Sequence, residues 1–567
     1  MSALDQIALL AGFRQKVSND VLVARGGLAL LAAFLTIAIA LPLYSVFSRS
    51  VRDNEGVFVG MRNFGRFLSE PGLAVSVWNS LLVAIISTFL TVSLAFFYAY
   101  ALNRSLMPGK WIFRGIAMTP LLAPSLLPAI ALIYLFGKQG VINGVLLGHS
   151  IYGPLGIVVG EVLFSFPHAL LIITIALSTT DQRLYDAATS LRAGPLRIFL
   201  TVTLPACRYG LLSAFFAVFT LVFTDFGVPS VIGGSYPVLA TELYKQVIGR
   251  FDFPMGAVAG IFLLVPAIIA FIADRIVQRR ETAMISTSAV PLQLKPNGVR
   301  DVVCFLFCAT VALTLLGILA TAAFGSFIKF WPYDLSLSLR NYDFRGVDST
   351  GWYVYINSLK LAGWTAFLGT PIIFLGAYFI EKGRGFGWFR AFAQLLCMVP
   401  LAVPGMVLGL SYIFFFNNPA NPLNFVYGTM SILVLSTIAH FYTVPHLAAI
   451  TALKQLDREF ESVGESLKVP FWVTLRRVTI PACLPAILDI WTYLFVNSMT
   501  TVSAVIFLYV ASTKLSSVTI VNWADWGKLP AASAMGMMIF ATSSGVWFLQ
   551  VVISRRLLRR TQAWRER

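Results

Sequence analysis

Long apolar runs alternate along this chain with shorter polar connections. A helix of about 20 apolar residues is long enough to cross roughly 30 Å of hydrocarbon at about 1.5 Å per residue. The pattern predicts twelve such helices, so we expect an all-α integral membrane protein. Their expected ranges are 25–47, 79–102, 113–136, 155–176, 210–233, 255–274, 301–326, 357–380, 391–416, 427–449, 484–508 and 532–554.

Composition excludes a soluble globular protein, because 58% of the 567 residues are hydrophobic and only 12% are charged. A net charge of +17 would favour a nucleic-acid partner in a soluble protein. However, most Lys and Arg lie at the N-terminus, in alternate connections and in the tail from Arg555 to Arg567. This asymmetry follows the positive-inside rule. It predicts two cytoplasmic termini and no nucleic-acid partner.

The chain repeats itself, and the repeat divides it into two halves. Val202–Cys207 (VTLPAC) is matched by Val478–Cys483 (VTIPAC) at an offset of 276 residues. We therefore expect a first half at 1–277 with six spans, a cytoplasmic linker at 278–300, and a second half at 301–567 with six more. Because each half has an even number of spans, the halves are predicted to be parallel repeats with a pathway between them.

The connection at 181–205 has the pattern of two short surface helices. Small residues come first, Gly194 and Pro195 interrupt the helix, and Pro205 stands where the next span begins. Small side chains let another surface approach closely, and a Gly-Pro break sets an angle between helices. The pattern predicts a docking surface. The equivalent connection in the second half is 457–481.

These residues resemble the EAA loop in the permeases of bacterial importers that use a binding protein. Asp186 stands where that family has Glu, Ala187 and Ala188 match, Arg192 replaces a Gly, and Leu204-Pro205 are in register. The second copy is more degenerate. Its corresponding residues are Ser462, Val463, Gly464, Lys468 and Pro481.

The resemblance implies the type I permease fold of ATP-binding-cassette importers, located in the bacterial cytoplasmic (inner) membrane. The implied partners are two copies of a cytoplasmic ATPase, which would dock at 181–205 and 457–481, and a periplasmic or lipid-anchored binding protein. The sequence contains no phosphate-binding loop, so ATP is expected to bind to the partner. No enzymatic activity, cofactor or metal centre is expected. An ion-coupled secondary transporter is the more distant alternative.

Polar residues within the spans are candidates for a translocation path, because an intramembrane carboxylate is unfavourable unless it is paired or hydrated. Asp225 and the residue at the same repeat position, Thr501, stand in polar stretches. The other candidates are Thr224, Asn497, Ser498, His168 and His446. A purely structural role is the alternative for Asp225 and for both histidines.

The cargo is the least determined feature. Fused double permeases of this length resemble the ferric-ion group and its relatives that transport 2-aminoethylphosphonate. The stretches 224–234 and 239–248 look more like the aminoethylphosphonate branch, which is our first expectation, with iron(III) as the alternative.

Overall fold

The computed structural model describes residues 19–284, 290, 292–294, 296–383, 387–457, 463, 466–467 and 469–561. Seven of its helices are each long and apolar enough to cross a membrane. They are Leu22–Ser50, Pro71–Arg104, Pro154–Ser178, Phe253–Gln278, Gly298–Phe327, Tyr353–Lys382 and Leu529–Leu557.

Five further spans consist of two helices joined at a bend. They are Lys110–Leu122 with Leu126–Phe136 (102°), Pro195–Ala206 with Arg208–Thr224 (62°), Gly387–Ala402 with Gly405–Phe416 (114°), Met430–His440 with Thr443–Lys454 (56°), and Phe471–Ala482 with Leu484–Thr500 (75°). Counting each bent pair as one span gives twelve, so the predicted all-α membrane fold is confirmed.

Shorter helices lie in the connections or beside the spans: Arg62–Ser69, Gln182–Ser190, Gly227–Ile232, Leu239–Tyr244, Phe344–Val347 and Ser516–Asp525. Within the described residues, the only strands are Ile328–Phe330 and Asp334–Leu337, which pair antiparallel. The hydrophobic pattern did not predict this hairpin, because it is too short to show a two-residue period.

Two predicted spans, 210–233 and 484–508, are too long, because the helices end at Thr224 and Thr500. At the first end the backbone of Asp225 is extended, and its carboxylate accepts a hydrogen bond from the Val228 N–H at 2.8 Å. The separate helix Gly227–Ile232 follows, and this bond satisfies an N–H group of its first turn. Residues beyond the span are apolar because they are buried, and hydropathy alone cannot distinguish burial from a continuing span.

The first span and the seventh pack against helices from the other part of the sequence. Leu22–Ser50 lies against Tyr353–Lys382 and Gly405–Phe416, while Gly298–Phe327 lies against Pro71–Arg104 and Leu126–Phe136. Glycine permits both contacts. A Cβ on Gly27 would lie 2.4 Å from the Phe379 ring, and one on Gly325 would lie 2.5 Å from the Tyr134 ring.

Candidate functional site

The 181–205 segment leaves the membrane-spanning helices as two surface helices. The Asp181 carboxylate accepts a hydrogen bond from the Arg183 N–H at 3.0 Å and so caps the helix Gln182–Ser190. The second helix, Pro195–Ala206, meets the span Arg208–Thr224 at 62°. The segment therefore forms an elbow outside the bundle, with Pro205 exposed just before the bend.

The turn between these two helices lies at Arg192 and not at Gly194. Arg192 has φ = +53°, in the left-handed region that favours glycine. Gly194 has φ = −69°, which any residue adopts. Arg192 is also the position at which the EAA loop has glycine. The backbone therefore keeps the turn of that loop although the side chain has changed.

Three consecutive residues of the motif differ in exposure. Asp186 and Ala187 are exposed, whereas Ala188 is buried and faces the protein. The Gln182 side-chain amide donates to Asp186 Oδ1 at 2.7 Å, one helical turn away. The face that carries Asp186 and Ala187 is therefore open to a partner, and Ala188 packs the helix against the rest of the segment.

Large apolar side chains are exposed at equivalent positions of both segments. Leu191 is 83% exposed and its repeat equivalent Leu467 is 70% exposed. Leu196 is 72% exposed and its equivalent Trp472 is 57% exposed. Leu191 and Leu467 lie in turns, and Leu196 and Trp472 lie at the starts of the helices that follow. Clustered exposed apolar side chains are typical of a surface that contacts a protein or a membrane.

The 457–481 segment is described only in part. Ser462, Gly464 and Lys468 lie outside the described residues. Val463 is 55% exposed, and Pro481 lies in the helix Phe471–Ala482, which meets the span Leu484–Thr500 at 75°. The described part thus has the same elbow as the 181–205 segment.

Arg104 connects the 181–205 segment to the end of a span, a role that the sequence analysis missed. Its guanidinium is buried, donates to the Leu177 carbonyl at 3.1 Å and to Thr180 Oγ1, and lies 5.0 Å from the centre of the Tyr185 ring. The Tyr185 hydroxyl lies 3.1 Å from Thr203 Oγ1. These contacts link the surface helix Gln182–Ser190 to the end of the span Pro71–Arg104.

Most of the predicted path residues use their polar groups within their own helices. The Thr224 hydroxyl donates to the Thr220 carbonyl at 2.9 Å, the Asn497 amide to the Tyr493 carbonyl at 2.8 Å, and the Ser498 hydroxyl to the Leu494 carbonyl at 2.5 Å. The Thr501 carbonyl accepts a hydrogen bond from the Ser517 hydroxyl at 2.6 Å.

The two candidate histidines lie in packed positions. His446 is fully buried, and its Nε2 lies 3.1 Å from Gln394 Oε1 on a neighbouring helix. His168 packs against Phe164 with ring centres 5.9 Å apart. Neither is among the described residues that line the small cavity beside Asp225.

Asp225 is paired with a second carboxyl group, that of Glu161, which the sequence analysis missed. Glu161 stands in the first third of the span Pro154–Ser178 and has no exposed surface. The Asp225 carboxyl contacts the side chains of Glu161 and Ser125. Within the described part of the chain, no other N–H or hydroxyl group donates to the Glu161 oxygens, so the Asp225 carboxyl is their polar neighbour. The pair lines a cavity of about 10 Å³, room for one water-sized guest.

Two carboxyl groups in contact inside a membrane protein cannot both be ionised without a positive charge between them. The pair therefore holds a proton or a cation. A solitary Glu in an apolar run of 25 residues was the available signal. Its partner could not be found from the sequence because 64 residues separate the two positions.

Comparison with known proteins agrees with this architecture. Residues 91–283 match the family described as binding-protein-dependent transport system inner membrane component. A putative ferric transport system permease protein FbpB 1 of Haemophilus influenzae is 30% identical over 79% of this chain and 72% of its own length. A ferric transport system permease protein FbpB of Actinobacillus pleuropneumoniae is 26% identical over 99% of this chain and 83% of its own.

A third relative, the Fe(3+)-transport system permease protein FbpB 2 of Haemophilus influenzae, is 23% identical over 92% of this chain and 97% of its own length. The second and third relatives each match more than nine-tenths of this chain, so the similarity extends across both repeats. The chain therefore belongs to the family of binding-protein-dependent transport system inner membrane components, the multi-pass permease subunits of ATP-binding-cassette importers.

Proposed function

We propose that this chain is the permease of an iron(III) importer, with two fused halves that are moved by separate ATPase subunits. The assignment of the cargo rests on the three relatives above, which match most of this chain and are named as ferric transport permeases. Their names favour the iron alternative of the sequence analysis over 2-aminoethylphosphonate, which none of them mentions.

The carboxyl pair supports a cationic cargo. Carboxylate and hydroxyl oxygens are hard ligands that suit hard cations, and Glu161, Asp225 and Ser125 provide them together. The pair disfavours a purely anionic cargo, but the ammonium group of 2-aminoethylphosphonate is also a cation, so the choice between the two cargoes rests on the names of the relatives. We therefore assign Glu161 and Asp225 to the route of the cargo, close to the end of the span Arg208–Thr224.

The two elbows support the proposed drive. We assign the ATPase contacts to the 181–205 and 457–481 segments, on the cytoplasmic side, with both termini on that side as well. Exposed Leu191 and Leu467 provide apolar area for a partner. The contacts of Arg104 with Tyr185 would pass the movement to a span. In this scheme the halves rock against each other, and the pathway opens alternately to each side.

Reconstitution tests the function. The chain, its ATPase and its binding protein are placed in proteoliposomes, and uptake of radioactive iron(III) is measured with and without ATP. We expect iron uptake that requires ATP and both partners. Uptake of 2-aminoethylphosphonate but not of iron would overturn the cargo assignment. Iron uptake by the chain alone, driven by an ion gradient, would overturn the proposed mechanism.

A variant tests the route. Glu161→Gln keeps the shape and removes one charge, so we expect roughly tenfold slower iron uptake, for a charge-assisted contact worth about 1.5 kcal/mol. Asp489→Asn is the matched control, because Asp489 is a carboxylate of the span Leu484–Thr500 that contacts Gln550 instead. Equal rates in both variants would exclude Glu161 from the route.

A further inference from the structure

A large cleft lies at the end of the first span, on the side of the membrane opposite to the 181–205 segment. Its volume is about 770 Å³. One wall is the end of Leu22–Ser50, and the other is the end of Gly405–Phe416 with the loop 417–422. The Ser45 hydroxyl, 3.2 Å from the Ser411 carbonyl, joins the two walls. The cleft therefore lies between two helices that contact each other directly.

The described lining of the cleft includes two arginines and no acidic residue. The two arginines are Arg49 and Arg52. The Arg49 guanidinium donates only to the Asn54 carbonyl, at 3.3 Å, and Arg52 makes no side-chain hydrogen bond or ion pair within the described residues. Two other arginines on this side, Arg66 and Arg250, are paired with carboxylates. Arg66 lies 3.3 Å from Asp252, and Arg250 lies 3.0 Å from Glu70.

Further hydrogen-bond donors stand beside the two arginines. Asn417, Ser48 and Tyr44 line the same cleft. The Asn417 side chain is exposed and has no hydrogen-bond partner within the described part of the chain. Guanidinium groups with neighbouring amide and hydroxyl donors are the set that recognises a phosphate.

Part of the cleft is apolar, and this part continues into the exposed apolar face of the first span. Leu41, Phe253 and Phe414 belong to its lining. On the first span, Leu30, Ile37, Leu41 and Tyr44 form one exposed stripe that runs into the cleft, and Tyr44 is 70% exposed. Residues at this spacing share one face of a helix. A ligand with both an anionic head and an apolar chain would contact the whole cleft.

We propose that this cleft binds the phosphate headgroup of an anionic membrane phospholipid. The headgroup would contact Arg49 and Arg52, and an acyl chain would follow the stripe of the first span. A free phosphate ion shares the headgroup chemistry but leaves the apolar part of the cleft unused. None of the residues that line this cleft lines the small cavity beside Glu161 and Asp225, so the site is separate from the proposed cargo route and is tested separately.

Native mass spectrometry of the full-length chain tests the site. Retention of dioleoyl phosphatidylglycerol is compared between the wild type, the double variant Arg49→Gln with Arg52→Gln, and the control Arg62→Gln with Arg340→Gln. The control removes two exposed arginines of the same predicted side that do not line the cleft. We expect about 30-fold weaker retention of one lipid in the cleft variant, which corresponds to about 1 kcal/mol for each arginine, and no change in the control.

Two competitors identify the source of the phosphate. A glycolipid with the same acyl chains and no phosphate should not replace the retained lipid, and excess inorganic phosphate should not displace it. Equal phosphatidylglycerol retention in all three proteins would overturn the proposal. Replacement by the glycolipid would reduce the site to an apolar contact, and displacement by inorganic phosphate would identify a free-anion site, so either result also overturns it.

Discussion

Replacing the exposed leucine of each elbow by aspartate should weaken ATPase binding. Complete burial of a leucine side chain is worth about 1.5–3 kcal/mol. Leu191 is 83% exposed and Leu467 is 70% exposed, so docking could bury most of either side chain. Each substitution should therefore remove about 2 kcal/mol of binding free energy, or about 30-fold in affinity. The charge of the new carboxylate adds to the loss.

The assay is titration of purified ATPase onto the permease in nanodiscs, followed by fluorescence anisotropy. Leu147→Asp is the matched control, because Leu147 is 89% exposed in a connection on the opposite side of the membrane. We expect wild-type affinity for this control. Affinities within about twofold of wild type for Leu191→Asp and Leu467→Asp would refute the docking assignment, since twofold corresponds to only about 0.4 kcal/mol.

Three further substitutions test the structure itself. Arg192→Gly should slow hydrogen exchange of the 181–205 segment, because glycine removes a conformational cost of about 1 kcal/mol that a left-handed backbone imposes on other residues. Faster exchange would contradict the turn assignment. Gly325→Leu should lower the melting temperature, because overpacking destabilises by about 1–3 kcal/mol, whereas Gly317→Leu on the same helix, with open space around it, should not. Burial raises the pKa of the Asp348 carboxyl, but hydrogen bonds, chiefly from Lys514, hold it below its usual 3.8. Asp348→Asn should therefore destabilise the protein at pH 7. The difference in stability between variant and wild type should vanish as the pH falls below 3.8. A pH-independent difference would contradict that ion pair.

Hydropathy predicted the number of spans because each of the twelve runs is locally apolar, and no long-range information is needed for that. The bends could not be predicted. The predicted span 391–416 is two helices at 114°, and a proline or glycine near a break does not determine the angle between the helices. The packing of the first and seventh spans against helices from the other part of the sequence could not be predicted either. Gly27 and Gly325 indicate a close contact only when the residues opposite them are known.

The candidate site shows the same division. The positions of Asp186 and Pro205 in their segment were available from spacing, and Arg192 could have been assigned to the left-handed turn because glycine occupies that position in the resembling loop. Glu161 was not among the predicted site residues, because its contact with Asp225 is formed only by the fold. The sequence analysis named no partner for Asp225, whereas the structure pairs it with Glu161.

Photocrosslinking tests the central claim most directly, because it asks where the ATPase touches the permease. A benzoylphenylalanine residue is placed in turn at Leu191, Leu467 and Leu147 in cells that express the complete importer. The account predicts crosslinks to the ATPase from the first two positions and none from the third. Crosslinks from Leu147 alone, or none from Leu191 and Leu467 in a complex that still transports, would contradict it.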